Sequence, residues 1–364
     1  MRAWEKGDEI LRERAERRAA EDAERRAELR AQGIDLDPTG HDDPGHAGDD
    51  LEHHEHEDES HGAHPHGHGH QHAEPGERPI VGIVGAGAVG LALGIALDRA
   101  GWPVGAVASR QPDRRQRFRE AVPGVRAFAE AHALVDDVDL VMLAVPDDAV
   151  ATVAGGLRLY AGQAIVHTSG LLGAEVLEPA LAAGSQAGAF HPLVAFADLD
   201  RALAALQGAT IAIEGDDELA SHLAEMAEAV GGSPVRLAPG SKAAYHAAAV
   251  LAAGGVTALL DTIREIASVM GLDEAGALRI YLPLIEQTVA NAQALGVAAA
   301  LTGPATRGDA GTVAAHLAAL EAGAPGTLSV YRALVDRSVT LAATRGTLAP
   351  EAAARLRAAL AGDP

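Results

Sequence analysis

The chain has 364 residues, enough for two domains beside an appendage, and its 48% hydrophobic content allows a large core. A formal net charge of −22 argues against nucleic acid as a partner, because phosphate binding needs a clustered basic surface. The absence of cysteine excludes disulfides, thiolate metal sites and a cysteine nucleophile, and it agrees with a reducing compartment.

Residues 4–31 read as one solvated helix, rich in Arg, Glu and Ala, with Glu-to-Arg pairs three or four apart and almost no apolar stripe. This start lacks the apolar core of a signal peptide, so a cytoplasmic location is expected. Residues 33–78 hold thirteen acids against Arg78 alone, with scattered Pro and Gly, which is the composition of a disordered linker. Eleven of the seventeen histidines fall there, including the alternating His64, His66, His68, His70 and His72. Imidazoles at that density can wrap a zinc, nickel or copper ion without a preformed cage; a solvated linker with no ligand is the alternative.

Residues 80–90, Ile-Val-Gly-Ile-Val-Gly-Ala-Gly-Ala-Val-Gly, read as a buried strand running into the turn Gly85-x-Gly87-x-x-Gly90. A helix-periodic segment to about Ala100 and a second apolar run, Val104 to Ala108, complete the strand-turn-helix-strand unit that binds a dinucleotide. Gly85 permits the tight turn, Gly87 lets the backbone approach a pyrophosphate, and Gly90 lets the helix pack on the strand; Ala86 and Val89 complete the loop. Residues 79–97 are apolar enough to suggest a membrane span, but the glycine pattern explains them better and no span is expected. The second strand ends Ala108-Ser109-Arg110, with Arg114 and Arg115 close behind. A carboxylate for the ribose 2′-hydroxyl of NAD is absent, so Ser109 and Arg110 favour the 2′-phosphate of NADP; the other reading is a solvated helix start.

Further strands are expected near 139–145, 163–167, 187–190 and 208–213, and the alternation with helices implies a doubly wound, mostly parallel α/β sheet. The strand near 139–145 ends Val145-Pro146-Asp147, at the sheet edge where ligands bind and a chain wall can lie against the nicotinamide ribose. The next ends His167-Thr168-Ser169-Gly170, offering hydroxyls, backbone N–H groups and an imidazole to a substrate carboxylate or carbonyl. His191-Pro192 closes the strand after it in the same way. Each of these histidines can instead be a hydrogen-bonded structural residue. After Pro239 only Ala-rich helical stretches follow. They open with Lys242 and His246, four apart and so on one helix face, where an ammonium or imidazolium can give a proton to a nascent alkoxide. The alternative is a helix-start lysine and a satisfied histidine. Farther on, Arg307 either pairs with Asp309 across a turn or clamps an anionic substrate, and His316 is read as packing.

Taken in order, Val84 to Gly90, Ala144 to Asp147, His167 to Gly170, Phe190 to Pro192, Lys242 with Tyr245 to Ala248, and Leu301 to Pro304 with Arg307 to Asp309 resemble a bacterial family of Rossmann-like oxidoreductases with a C-terminal helical domain of unknown function. The resemblance covers about residues 79–345. More distantly the chain is similar to ketopantoate reductases, pyrroline-5-carboxylate reductases and β-hydroxyacid dehydrogenases. In the hydroxyacid and ketopantoate enzymes a lysine acting on substrate oxygen is followed four residues later by an asparagine; Lys242 matches the lysine, and His246 stands at the asparagine. The nearer family tends to carry an asparagine further along that helix, where this chain has Ala253-Gly254-Gly255. The resemblance implies an NADP-dependent reductase of a small carboxylate-bearing carbonyl or imine compound, with ketopantoate the leading specific candidate, and a homodimer joined through the helical domain. The expected organisation is a charged helix (1–32), a His/acid-rich linker (33–78), an NADP-binding Rossmann domain (79–238) and a helical substrate and dimerisation domain (239–364). The rival from another class is a cofactor-sensing or metal-handling protein that uses the histidine tract without turnover.

Overall fold

A computed structural model describes residues 78–362 apart from Ala183 and Pro239. The helix expected over 4–31, the linker up to residue 77 and the histidines at 64, 66, 68, 70 and 72 lie outside the described residues.

Eight strands form one sheet: β1 (Val81–Val84), β2 (Val104–Ala108), β3 (Arg126–Phe128), β4 (Leu140–Leu143), β5 (Ala164–His167), β6 (Gln186–Pro192), β7 (Thr210–Glu214) and β8 (Ser233–Arg236), in the order β3-β2-β1-β4-β5-β6-β7-β8. The first six strands run parallel; β7 pairs with β6 antiparallel, and β8 follows β7 in the same sense. Strand order reverses between β1 and β4, which opens a crevice at their carboxyl ends. The central strands β1, β4 and β5 are buried along their whole length, so they read as unbroken apolar runs rather than alternating ones. β3 and β8 are the two edges and were not expected. Three residues of Arg-Ala-Phe are too few to show a period, and Pro234 argues against a central strand while an edge accepts it.

Helices cover both faces of the sheet. α1 (Ala88–Arg99) and α2 (Pro112–Ala121) lie on one face, where Leu93, Phe118 and Met142 share a core. α3 (Asp147–Gly155) lies on the other with 3₁₀ turns at Ala131–Asp137 and Ala174–Ala180, burying Leu134, Val150 and Leu177. α4 (Leu199–Leu206) and α5 (Asp217–Ala229) return to the first face through Leu206, Leu223 and Met226. Close packing there depends on missing side chains: a Cβ on Gly94 would fall 2.3 Å from the Phe118 ring.

From Lys242 on, the chain is helical. α6 (Lys242–Val250) runs through a π turn at Leu251–Gly255 into α7 (Val256–Ser268). α8 (Glu274–Leu295), α9 (Val297–Ala300), α10 (Pro304–Arg307), α11 (Ala310–Gly323), α12 (Leu328–Thr344) and α13 (Pro350–Ala361) follow. Asp273 and Asp309 cap α8 and α11 by accepting the backbone N–H of Gly276 and Thr312. Val313, Leu317, Val339, Leu356 and Leu360 join α11, α12 and α13 in a separate core. The preceding helices leave large apolar side chains outside: Leu251 is 72% exposed and Leu295 63%, with Val250, Val256, Leu284 and Val289 also uncovered. The continuous helix Lys242–Ser268 is long and apolar enough to cross a membrane by length and composition, with mean hydropathy 1.6 over its most apolar stretch. The expectation of no span had considered only residues 79–97.

Candidate active site

The loop after β1 shows why each glycine stands where it does. Gly85 has φ +107°, and a Cβ there would sit 2.2 Å from the Ala144 carbonyl oxygen. A Cβ on Gly90 would lie 1.9 Å from the Gly85 oxygen, so α1 packs on the turn only without one. At Gly87 the space is open, and its nearest neighbour is Arg114 Nη1 at 3.6 Å. No side chain caps α1 and no acid lies in its first turn, which leaves its N-terminal N–H groups for an anion. A cavity of about 470 Å³ opens here, lined by Gly87, Ala88, Arg114, Arg117, Phe196 and Asp198 among others. These features fit a dinucleotide pyrophosphate.

Arg110 is exposed, whereas Arg114 and Arg117 line the cavity. Arg115 donates to the Ser109 carbonyl at 2.5 Å and so braces the end of β2. Across the switch point, Pro146 precedes α3, whose first turn holds Asp147 and Asp148, the sign its dipole favours. The expected chain wall at Val145 to Asp147 is thus a helix start. Arg117 and the Phe196–Asp198 loop gave no signal in the sequence, because their place depends on how α4 follows β6.

The polar residues beyond β5 divide by what already engages them. Ser169 N–H donates to His167 Nδ1 at 3.2 Å, which puts the His167 proton on Nε2, 3.1 Å from the Gly173 carbonyl. Both ring nitrogens are used, so His167 is a structural residue. Burial, followed by the Lys242 ammonium, pushes it down to about 4. Ser169 Oγ accepts from the N–H groups of Leu171 and Leu172, at 3.1 and 3.0 Å, and thereby shapes the loop. Thr168 is tied to Leu143 through its N–H, at 3.0 Å.

α6 brings three side chains to this edge, since positions i, i+3 and i+4 share a helix face. Lys242 is 4% exposed and its Nζ donates to the Ser169 carbonyl at 2.8 Å, with Glu214 Oε2 4.0 Å away. Burial lowers the Lys242 pKa and raises that of Glu214, while their mutual attraction opposes both shifts. His191 Nδ1 lies 3.1 Å from Tyr245 Oη, and the His191 and His246 rings stand edge to face with centroids 5.9 Å apart. Burial pushes His191 down to about 4, helped by the Lys242 charge. Both imidazoles lean over Gly170, where a Cβ would meet His246 Nδ1 at 2.3 Å and His191 Nε2 at 2.8 Å. The structure therefore brings together Gly170, His191, Lys242 and His246. A second cavity of about 640 Å³, lined by Glu175, Glu214, Arg236 and Lys242 among others, reaches the lysine from the face of β6 to β8.

Arg307 lies elsewhere, in α10, which packs on α12 in the C-terminal helical layer. Asp309 caps α11 rather than forming an ion pair with it, and His316 Nδ1 makes a 2.7 Å hydrogen bond with Tyr331. Among the described residues no group of three or more His, Cys, Asp or Glu side chains is placed to hold a metal ion.

The two depressed histidines make stability fall in acid. Their folded pKa values, about 4, lie below the unfolded value of 6.5, so the unfolded chain binds more protons between those limits. Stability is full above about pH 6.5 and is lost as pH falls toward 4. At about 1.4 kcal/mol per pH unit, His167 alone withdraws roughly 3 kcal/mol across that window. Urea unfolding of the wild type at pH 7, 5.5 and 4.5 should show the decline, and His167→Gln should flatten it.

Two family models match the chain: Rossmann-like domain over residues 69–192 and Domain of unknown function (DUF2520) over residues 209–338. Among solved structures, a Bacteroides fragilis protein provisionally classed as an NADP oxidoreductase is 23% identical with TM-score 0.60, over 72% of this chain and 98% of that one. A Thermotoga maritima protein is 28% identical with TM-score 0.57, over 73% and 99%. The 1-pyrroline-5-carboxylate reductase of Streptococcus pyogenes is 18% identical with TM-score 0.51, over 73% and 98%. No curated protein sequence matches. The Rossmann-like model thus covers β1 to β6, and the DUF2520 model begins at β7 and takes in β8 and the helices as far as α12.

Proposed function

We propose that the protein is an NADP-dependent oxidoreductase that reduces a small carbonyl or imine compound bearing a carboxylate. The observation that carries this reading is the adjacency, at one sheet edge, of an uncapped helix start behind Gly85, Gly87 and Gly90 and a buried Lys242 with His191 and His246 beside it. The names of the fold-sharing reductase and oxidoreductase are in keeping with it. Reduced nicotinamide supplies a hydride when bound. Ser109 and Arg110 take the 2′-phosphate, while Arg114, which lines the cavity at Gly87, faces the pyrophosphate. Lys242 is the proton donor or oxyanion partner, held in place by Ser169 and Glu214, and His246 supports it. Thr168, Ser169, Gly170 and His191 form the substrate end. Ketopantoate belongs with 2-keto acids and cyclic imines as substrates to screen by NADPH oxidation.

NADPH should bind more tightly than NADH, and Arg110→Ala should weaken NADPH alone by about 1–3 kcal/mol, the value of a charge-assisted hydrogen bond. Lys242→Ala should lower kcat by about 10² to 10³ with NADPH affinity nearly unchanged, because a charged donor to a developing alkoxide is worth that much. Fluorescence titration and steady-state kinetics check both; equal affinity for the two cofactors removes the NADP assignment. Should Lys242→Ala keep its turnover while His246→Ala is inactive, the imidazole is the acid.

A second copy of the chain covers the exposed side chains of α6 to α8. Residues 243–260 carry no Asp, Glu, Lys or Arg, so two copies of a chain with a net charge of −22 meet there without opposed charges. Light scattering should give twice the chain mass at micromolar concentration; a monomer removes this assignment.

The density of imidazoles in residues 41–72 supports a separate divalent-metal site. A peptide of that segment should bind zinc or nickel, more weakly as pH falls through about 6.5, where imidazole protonates. Calorimetry that finds it no better than a His-to-Ser peptide makes the tract a linker.

A further inference from the structure

Tyr245 has no role in the reduction described above, yet its phenol is the partner of the most central imidazole. Among the described residues His191 Nδ1 is the only side-chain partner of Tyr245 Oη, at 3.1 Å, and the two rings stand edge to face at 5.6 Å. A phenol O–H is a good donor and a phenol oxygen a poor acceptor, whereas an unprotonated imidazole nitrogen accepts well. The stronger arrangement therefore has Tyr245 donating to Nδ1. A neutral ring must then carry its proton on Nε2.

His191 is neutral near pH 7. Burial holds its pKa at about 4; the Lys242 charge and the His246 and His167 rings lower it, and Asp147 opposes them. Burial also raises the Tyr245 pKa, so the phenol keeps its proton. The Nε2 atom lies on the side of Gly170, beside His246 Nδ1, which is buried and has no hydrogen-bond partner. A Cβ on Gly170 would be 2.8 Å from one nitrogen and 2.3 Å from the other, so the two nitrogens come this close to the chain only because Gly170 has no side chain.

We propose that Tyr245 is a positioning residue that locks neutral His191 with its proton on Nε2, so that His191 and His246 together hold one substrate oxygen over Gly170. His191 is the fixed donor. His246, with no partner of its own at Nδ1, either donates or accepts there, which suits an oxygen that changes from carbonyl to hydroxyl as well as a carboxylate oxygen. That the oxygen belongs to a substrate rests on the reductase reading; the tautomer does not.

The test is long-range ¹H–¹⁵N correlation on the full chain labelled with ¹⁵N-histidine, with His191 identified by the loss of its signals in His191→Asn. The expected result is an Nε2–H, Nδ1-unprotonated pattern for His191 from pH 6 to 8, and a mixture of tautomers in Tyr245→Phe. An Nδ1–H pattern in the wild type, or an unchanged tautomer in Tyr245→Phe, overturns the lock; the wild-type result decides even where the variant fails to fold. Titration with sodium acetate and, separately, with acetone should move the His191 Nε2 signal, acetate pointing to a carboxylate and acetone to a carbonyl oxygen. No movement with either overturns the oxygen niche. With a substrate in hand, Tyr245→Phe should lower kcat/KM about tenfold while NADPH binding is kept. If the tautomer is as expected but no compound is turned over, the reductase reading fails and the lock stands.

Discussion

The buried ammonium of Lys242 is the interaction on which the arrangement of the site depends. Its bond to the Ser169 carbonyl ties the first turn of α6 to the loop beyond β5, and Glu214 holds it from β7. An ammonium this well buried is costly unless it is hydrogen-bonded and paired, so the helix start, the loop and the strand are fixed together. Burial lowers the pKa of His167 and His191, and the same charge adds to that shift at both imidazoles. One side chain thus holds the start of the helix against the loop and the strand. A substitution there removes the hydrogen bond to Ser169 and the charge facing Glu214 together.

The glycine loop works by a different constraint, one of space. Gly85 and Gly90 are places where backbone meets backbone too closely for any Cβ, whereas Gly87 faces an opening. The first two glycines hold α1 against the turn and aim its free N–H groups, and the third leaves room for what those groups attract. Gly170 repeats the device at the other end of the crevice, where the absent side chain is replaced by two imidazoles. Both ends of the site are therefore made by omission of a methyl group, and both lie at carboxyl ends of parallel strands.

Much of this was legible in the chain. The buried strands announced themselves as apolar runs, the glycine spacing announced the turn, and the spacing of Lys242 and His246 put them on one helix face. The edge strands were not legible, since β3 is too short to show a period and β8 carries a proline. Side-chain commitments were less legible still. His167, Thr168 and Ser169 read as donors to a substrate, but His167 and the Ser169 hydroxyl serve the loop, and no periodicity distinguishes those uses. Arg110 stood nearest the strand end in sequence, yet the helical turn carries Arg114 to Gly87. Glu214 gave no signal, because its meaning lies in a lysine twenty-eight residues farther on.

The helix that begins with this lysine also explains why the protein needs something beyond its own core. From Val250 to Leu260 it is apolar on every side, and the residues from Val250 to Ala258 are mostly exposed. A helix that is hydrophobic all round belongs inside a protein or a membrane. Here its first turn is anchored at the site by Lys242, Tyr245 and His246, and charges return only in its last two turns, with Asp261, Arg264 and Glu265. The intervening stretch includes the π turn at Leu251–Gly255, a local widening that is common where a helix serves a site. Gly254 and Gly255 let another helix come close, since a Cβ at Gly254 would meet nothing within 4 Å. A charge-free, small-residue surface one helical turn from the imidazoles joins the site directly to whatever covers that surface. The helix that carries Lys242, Tyr245 and His246 is thus also the one that presents the charge-free surface.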